Sequence, residues 1–477
     1  MYHGGMSKPL DLALDRSAAL PLAEQIRLGI AAAIDRGVLA PGARLPSWLD
    51  LAAQLGVARG TVKAAYERLV DAQLVVASRP GGTRVAERPP RLAGPDAVPG
   101  AAPLPGPFWD FFPRAPTVFQ NGVPASDCFP AALFARLRSR AARAEATAPA
   151  VYPDPRGEPA LRRAIAAHLA IARGIECRPS QVFVTAGFSG ARQFALSVLR
   201  AEGRRAWLEE PGFVPSRRAL SLARIEPVPV PVDEDGIDVD YGLRHAPDAA
   251  FALLTPGQQA PLGPTLSLAR RRRLLEWAGD TGASIIEDDY LGELQLRRRA
   301  APALASLDTA GRVIHIGSFS KTISPALRLG FLVAPAPLAA RFGEAAACFA
   351  PAPDVAVQLA AEAFMREGHY MRHLRRMKRV YAARGHALQT RLEALGYQVH
   401  PAGLAMLLRL PDGTRASDVE IALAAGREGL APGPLSPWFA AAGGGASAGL
   451  LLGVATAGEA RLADACARLD RVIRAHA

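Results

Sequence analysis

Leu22, Ile26, Ile30 and Ile34 recur every four residues in "LPLAEQIRLGIAAAIDRG", with charged and small residues between them. That spacing draws one apolar stripe along a helix, and Gly37 is placed to end it. "LAPGARLPS" follows as a turn-rich connector. "WLDLAAQLGVARGTVKAAYERLVDAQLV" then carries two more helical patterns, broken at "LGVAR", where Gly56 suits a tight turn. In the second pattern Val62, Ala65 and Leu69 face inward, which leaves Arg59, Thr61, Lys63 and Tyr66 for the outer face. "LVVASRPGGTRVAE" is a short strand, a Gly-Gly turn and another short strand, the signal of a hairpin.

Further along, the period changes. "QVFVTAG", "RAWLEE", "IEPVPV", "AFALLTP", "SIIEDDY" and "RVIHIGS" are short apolar runs that stop at polar or glycine-rich turns. Helical stretches such as "LSLARRRRLLEWAGDTG" lie between several of them. Alternation of this kind predicts an α/β domain on a mainly parallel sheet. Ligands bind such sheets beyond the carboxyl ends of the strands, so the informative residues are those where each run stops.

Between the two patterns lies "ERPPRLAGPDAVPGAAPLPGPFWDFFPRAPT", with proline every few residues. Neither a helix nor a central strand tolerates that, so the segment reads as a semi-extended linker. The expected division is a first module at 1–86, a linker at 87–109 and a body at 110–477.

Composition adds limits. The 477 residues fit about three domains. Half of them are apolar, enough for a large core. The formal charge is +12, which permits nucleic-acid binding. Yet residues 1–90 hold 11 Lys/Arg against 8 Asp/Glu, a net of only +3, so any DNA-binding face must gather its basic residues on one side. Cys128, Cys177, Cys348 and Cys466 lie far apart, which suggests neither a disulfide framework nor a zinc site. They read as buried or half-buried free thiols in a reducing compartment. "MYHGGMSKPLDL" lacks the apolar core of a signal peptide, and no stretch of about 18 apolar residues suggests a membrane span. A cytoplasmic protein without a metal site is expected.

Helix, turn, helix and hairpin make a winged helix-turn-helix, which lays a helix in the major groove and sets the hairpin beside it. "PGARLPS", "LAAQLGVARGTVKAAYERL" and "GGTRV" resemble the GntR-type winged-helix family over about 70 residues. The resemblance implies that Arg44, Ser47, Arg59 and Thr61 contact double-stranded DNA, with Gly82 at the wing tip. Members of that family usually carry serine where this chain has Ala58, the position that caps the recognition helix.

The strand ends of the body carry a constellation. "RVIHIGSFSKT" delivers Lys321, and a lysine in a dry pocket can lose its proton and condense with an aldehyde. "SIIEDDYLGEL" delivers Asp288, suited to a protonated pyridine nitrogen, and Tyr290, suited to a phenolic oxygen. "VFVTAGFSGARQFAL" places Gly187 to Gly190, with Phe188 and Ser189, at a helix start whose free N–H groups can bind phosphate. Ser318, Ser320 and Arg328 offer further phosphate donors. Phe213, in "EEPGFVP", can stack on a ring.

An aldehyde, a pyridine, a phenolic oxygen and a phosphate together describe pyridoxal 5′-phosphate (PLP). From about residue 110 onward the chain resembles a class I aminotransferase of PLP fold type I, through "YPDPRGEPALR", "TAGF", "EEPGF", "IIEDDY" and "SFSKTISPALRLG". The resemblance implies an internal aldimine on Lys321, Asp288 on the pyridine nitrogen, Tyr290 on O3′, and Tyr152 reaching the phosphate of a neighbouring subunit. Either Gln258 or Gln259, in "TPGQQAPLG", falls where such enzymes approach O3′.

A GntR-type winged helix joined through a proline-rich linker to an aminotransferase-like body is the layout of the MocR-type transcription regulators, which this chain resembles over nearly its whole length. That resemblance implies a head-to-tail homodimer that binds DNA and senses an amine, an amino acid or PLP itself. The alternative is a working aminotransferase with an accessory DNA-binding module. One departure bears on the choice. "LAPGPLSPWFAAAGGGASAGLLLGVATAGEA" contains no arginine to clamp a substrate carboxylate, and only Arg427 and Arg461 flank it. Residues 440–449 within it read as a flexible loop.

Overall fold

A computed structural model describes residues 12–18, 20–78, 82–89, 116–147, 151–296, 301–440 and 448–476. The amino terminus through residue 11, the linker from residue 90 onward, the first residues of the body and most of the 440–449 loop lie outside them. The chain divides into two compact units, residues 1–104 and 105–477. Length alone suggests about three domains; the second sheet described below stays within the larger unit.

The first unit holds helices α1 (Leu22–Asp35), α2 (Trp48–Leu55) and α3 (Arg59–Asp71), then strands β1 (Val75–Ser78) and β2 (Gly82–Val85). The four-residue stripe is the reason for α1: Ile26, Ile30 and Ile34 are buried against Leu51, Val62 and Leu69. Gly37 follows α1 with φ +72°, and Gly56 closes α2 in the left-handed region at φ +63°. Strands β1 and β2 pair antiparallel from Val75 opposite Val85 to Ser78 opposite Gly82. Ala58 is the N-cap of α3 and supplies no side-chain cap. Ala58→Ser is therefore expected to stabilise this unit by about 1 kcal/mol, read as a higher unfolding midpoint.

The larger unit opens with α4 (Ala131–Thr147) and α5 (Pro159–Arg173). Strands and helices then alternate as β3 (Val182–Thr185), α6 (Gly187–Leu199), β4 (Arg205–Glu210), α7 (Val214–Leu222), β5 (Glu226–Asp233), β6 (Gly236–Ile237), α8 (Val239–His245), β7 (Phe251–Leu254), α9 (Leu268–Thr281) and β8 (Ser284–Asp288). Next come β9 (Val313–Ser318), β10 (Gly330–Val333), α10 (Ala339–Phe349), α11 (Val355–Arg366) and α12 (His369–Ala394). The chain ends with β11 (Val399–Ala402), β12 (Ala405–Arg409), α13 (Asp418–Arg427), β13 (Gly433–Pro434), β14 (Gly449–Gly453) and α14 (Glu459–Ala475).

Strands β3 to β10 form one eight-stranded sheet in the order β3-β10-β9-β8-β7-β4-β5-β6. Its centre is parallel, from β9 through β8, β7 and β4 to β5. β10 runs antiparallel to both β3 and β9, so β3 points the same way as β9. The carboxyl ends of β3, β4, β7, β8 and β9 therefore lie along one edge. Both faces are covered, and alternate residues serve opposite cores. Phe251, Leu253 and Ile286 pack with Phe183 and Phe342, while Ala252, Leu254 and Ile285 pack with Trp207 and Trp277. The second sheet, β11-β12-β14-β13, is antiparallel.

Among the described residues no helix is long and apolar enough to cross a membrane, and no cluster of His, Cys, Asp and Glu is arranged to hold a metal. All four cysteines are free thiols. Cys128 and Cys466 are buried and Cys177 is half-buried, but Cys348 is exposed, against the expectation of burial. It stands near the end of α10, one residue before the exposed Phe349, where only part of the helix faces the core.

Candidate functional site

In the first unit, Arg59 and Lys63 on α3 are exposed and Thr61 is half-buried. Tyr66 is not on the outer face. It is buried, and its hydroxyl donates to the Pro46 carbonyl at 2.9 Å. At helical spacing it follows Val62 and Ala65 onto the packed face, and the bond to Pro46 ties α3 to the connector before α2. Ser47 caps α2: its oxygen accepts from the Asp50 amide at 3.1 Å, and its hydroxyl donates to the Asp50 carboxylate at 2.7 Å. Arg44 forms an isolated bridge with Arg84 on β2. Gly82 takes φ +76°, and a Cβ there would stand 3.3 Å from the Arg44 guanidinium. Arg44 and Gly82 are thus brought together at the hairpin.

In the larger unit the strand ends assemble the second set. Asp288 closes β8 and is only 9% exposed, and its Oδ1 is buried without a hydrogen-bond partner. Burial and the neighbouring charges of Asp289 and Glu209 push its pKa well above the usual carboxylate range, against Arg192 and Lys321. Lys321 follows β9 and is half-buried, and its ammonium donates to the Gly122 carbonyl. Desolvation pulls its pKa down to about 8, while Asp288 acts in the opposite sense. Tyr290, two residues past β8, is half-buried, and its phenol is pushed up by desolvation and then by Asp288 and Glu209.

At the start of α6, Gly187 adopts φ +70°, and a Cβ there would lie 3.7 Å from the Arg328 guanidinium. Arg328 also donates to the Ala186 carbonyl at 3.1 Å. The Ser318 hydroxyl donates to Ser320 Oγ at 3.0 Å and accepts from the Ser320 amide at 3.2 Å. A helix N-terminus, a guanidinium and two hydroxyls are groups that could hold an anion. Ser189 is exposed in the first turn of α6, and Phe188 beside it sets its ring 6.2 Å from that of Phe213. Phe213 in turn lies 6.0 Å from Trp438. Tyr152 stands apart, at 101% exposure in the single chain.

The two glutamines separate. Gln259 is buried, donates to the Pro211 and Ala260 carbonyls, and accepts from the Leu262 amide. Gln258 has a buried Oε1 without a partner, so it keeps spare bonding capacity. Arg427 and Arg461 are exposed, and Leu450, Leu451 and Leu452 of β14 are all buried. Four participants escape the sequence reading. They are Gly122, which accepts from Lys321; Glu209, whose buried carboxyl is pushed up to about 7; and Arg192 with Ser216, which meet at 3.2 Å.

A winged helix and a fold type I body define a DNA-binding protein built on an aminotransferase frame. Known proteins agree with that class. The family described as "Aminotransferase class I and II" matches residues 118–425, and "Bacterial regulatory proteins, gntR family" matches residues 22–85. The "Probable rhizopine catabolism regulatory protein MocR" of Rhizobium meliloti is 38% identical over 78% of this chain and 77% of its own length. The "HTH-type pyridoxine biosynthesis transcriptional regulator PdxR" of Corynebacterium glutamicum is 32% identical over 78% of each chain. Among solved structures, LysN, an alpha-aminoadipate aminotransferase of Thermus thermophilus complexed with N-(5'-phosphopyridoxyl)-L-leucine, superposes with a TM-score of 0.66 at 28% identity, over 75% of this chain and 92% of that one. The chain belongs to the MocR-type transcription regulators, with a GntR-family winged helix and an aminotransferase class I and II domain.

Proposed function

We propose that the body binds PLP at Lys321 and uses it to sense a small amine, an amino acid or PLP itself, and that the winged helix reads operator DNA in response. The observation that carries this reading is Asp288 Oδ1, a buried carboxylate oxygen without a partner at the same sheet edge as a desolvated lysine. A carboxylate in that condition is costly unless a cation faces it, and a protonated pyridine nitrogen is such a cation. The remaining donors fit the rest of the molecule.

When bound, PLP supplies an aldehyde that captures primary amines and a ring that withdraws electrons. The chain's own groups would divide the work. Lys321 supplies the amine that holds the aldehyde, and its lowered pKa leaves part of it neutral and nucleophilic near pH 8. Asp288 holds the ring nitrogen's proton. Tyr290 and Gln258 would address the phenolic oxygen, and Phe213 and Phe188 would flank the ring. The amides of Gly187, Phe188 and Ser189 with Ser318, Ser320 and Arg328 would hold the phosphate. Tyr152, fully exposed in one chain, would complete that cradle in a second subunit of a head-to-tail dimer.

On the DNA side, Arg59 and Thr61 would enter the groove, and Arg44 beside Gly82 would follow the backbone. Ser47 would contribute chiefly by capping α2. Residues 1–86, 87–109 and 110–477 then serve as reader, tether and sensor. A specific footprint upstream of the chain's own gene, together with saturable PLP binding, tests the reading; turnover of amino acid with keto acid and no footprint would favour an aminotransferase instead.

Asp288→Asn gives a check that does not need cofactor. The folded carboxyl titrates above its unfolded value, so its cost to stability is absent in acid and grows as pH rises above the ordinary carboxylate range. The cofactor-free variant should therefore unfold at a higher temperature than the parent at pH 8, with the gap closing toward pH 4, while its PLP affinity falls. A parent-like profile at every pH would mean that Asp288 is not held at a cost.

A further inference from the structure

Lys321 stands in a turn rather than in a strand or a helix: β9 ends at Ser318, and residues 320–323 form the turn that follows. Within it, the Ile323 amide donates to the Phe319 carbonyl at 2.8 Å. Burial divides the segment into two sets. Ser318, Ser320 and Lys321 are half-buried, while Phe319, Thr322 and Ile323 are buried. The PLP reading gives tasks to the first set and leaves the second unexplained.

The second set is gripped from α12. Tyr370 and His373 lie three residues apart near its start, on one face, at 3% and 5% exposure. His373 Nε2 bonds the Thr322 carbonyl at 2.8 Å; a carbonyl only accepts, so the ring donates. That bond satisfies a backbone group that is shut away from water. The Tyr370 hydroxyl bonds the Glu293 carboxylate at 2.8 Å and Thr322 Oγ1 at 3.1 Å. Burial works to raise the Glu293 carboxyl, but the His168 ring bonded to it holds it below its ordinary value, so it is ionised. An ionised carboxylate only accepts. The single Tyr370 proton therefore goes to Glu293, and the Thr322 hydroxyl donates to Tyr370. The Tyr370 ring also meets that of Phe319 edge-on, with centroids 5.8 Å apart. Tyr370 thus touches the segment on both sides of Lys321, and Thr322 is held at its carbonyl and at its hydroxyl.

We propose that Tyr370 and His373 are positioning residues for Lys321: from α12 they fix Thr322, and with it the turn that aims the anchor amine at the aldehyde of PLP. The proposal rests on the PLP reading above and deepens it. In capture, Lys321 Nζ bonds the aldehyde carbon and gives up both amine protons to the oxygen that departs as water. The nitrogen must meet that carbon in line, and misplacing a reacting group by about 1 Å can cost on the order of 100-fold in rate. Ser320 is tied to Ser318 at the strand end by two hydrogen bonds of its own, so the phosphate donors do not depend on the same grip.

The test measures, on the full chain, the rate at which PLP becomes fixed to the Lys321 peptide by borohydride, and separately the equilibrium affinity for PLP. Tyr370→Phe and Thr322→Val should each slow capture by roughly tenfold. The double variant should be no slower than either, because the two changes remove one shared bond. His373→Leu should slow capture as well, and His373→Gln, which keeps an N–H donor, should restore most of the rate. In a Lys321→Ala background, where no covalent bond can form, Tyr370→Phe should leave PLP affinity unchanged. An equal loss of affinity in that background would overturn the proposal, since Tyr370 would then support the site as a whole. A parent-like capture rate with a lower melting temperature would overturn it too. If the parent itself shows no saturable PLP binding and no fixed adduct at Lys321, the PLP reading has failed instead. Should His373→Leu not fold, Tyr370→Phe and Thr322→Val carry the same comparison.

Discussion

Lys321→Ala is expected to remove all covalent capture of PLP. In the parent, borohydride treatment of protein incubated with PLP should fix the cofactor to the peptide that contains Lys321. In the variant no lysine peptide should carry it, and dialysis should strip the chain of the cofactor's absorption. The expectation follows from two features of the site. Lys321 stands just past the end of β9, on the edge where Asp288 and the start of α6 also lie. Its ammonium is desolvated, so its pKa falls to about 8. The same feature fixes a pH dependence: the rate of PLP capture should rise through a midpoint near 8, because the neutral amine is the nucleophile. A modified peptide elsewhere in the variant would place the anchor on another lysine.

Arg59→Ala is expected to weaken specific DNA binding by roughly 5- to 150-fold, the equivalent of about 1–3 kcal/mol for a lost base contact. Arg59 is the first residue of α3 and is exposed, while the packed face of that helix is made by Val62, Ala65, Tyr66 and Leu69. The substitution should therefore leave folding and PLP affinity as they are. A base contact would show as relaxed sequence preference; a phosphate contact would weaken all sequences alike and flatten the salt dependence. Parent-like affinity for the specific site would mean that α3 is not the reading helix.

Residues whose position along a run decides their role are legible in the amino-acid order alone. Lys321, Asp288, Tyr290 and Gly187 each follow an apolar run, and runs of that kind form strands whose carboxyl ends share one edge. The three helices and hairpin of the first unit are legible for the same reason, since their periods are short and local. What depends on packing between elements is not. Arg192 and Tyr66 carry polar ends that suit an outer helix face, and the tertiary contacts of α6 and α3 show that both are buried. Glu209 looks like half of an exposed acidic pair until Thr255 and Gln259 close over it. Gly122 reaches Lys321 from 199 positions away, beyond any local pattern. Gln258 and Gln259 are identical in sequence terms, and only the bonds of Gln259 to Pro211, Ala260 and Leu262 tell them apart.

The regulator is expected to have two arrangements whose balance a ligand shifts, and a ligand can do that only through a difference in its affinity for them. If PLP occupancy or amine exchange at Lys321 is the signal, operator affinity must depend on it by the same factor as ligand affinity depends on operator. The direct measurement is a titration of cofactor-free protein with PLP, and then of the loaded protein with candidate amines, while its affinity for DNA upstream of its own gene is followed. The account predicts that at least one of these additions changes operator affinity, by a factor of about 5 to 150. Operator affinity that is the same in all three states, with rapid formation of keto acid from the added amino acid, would contradict it.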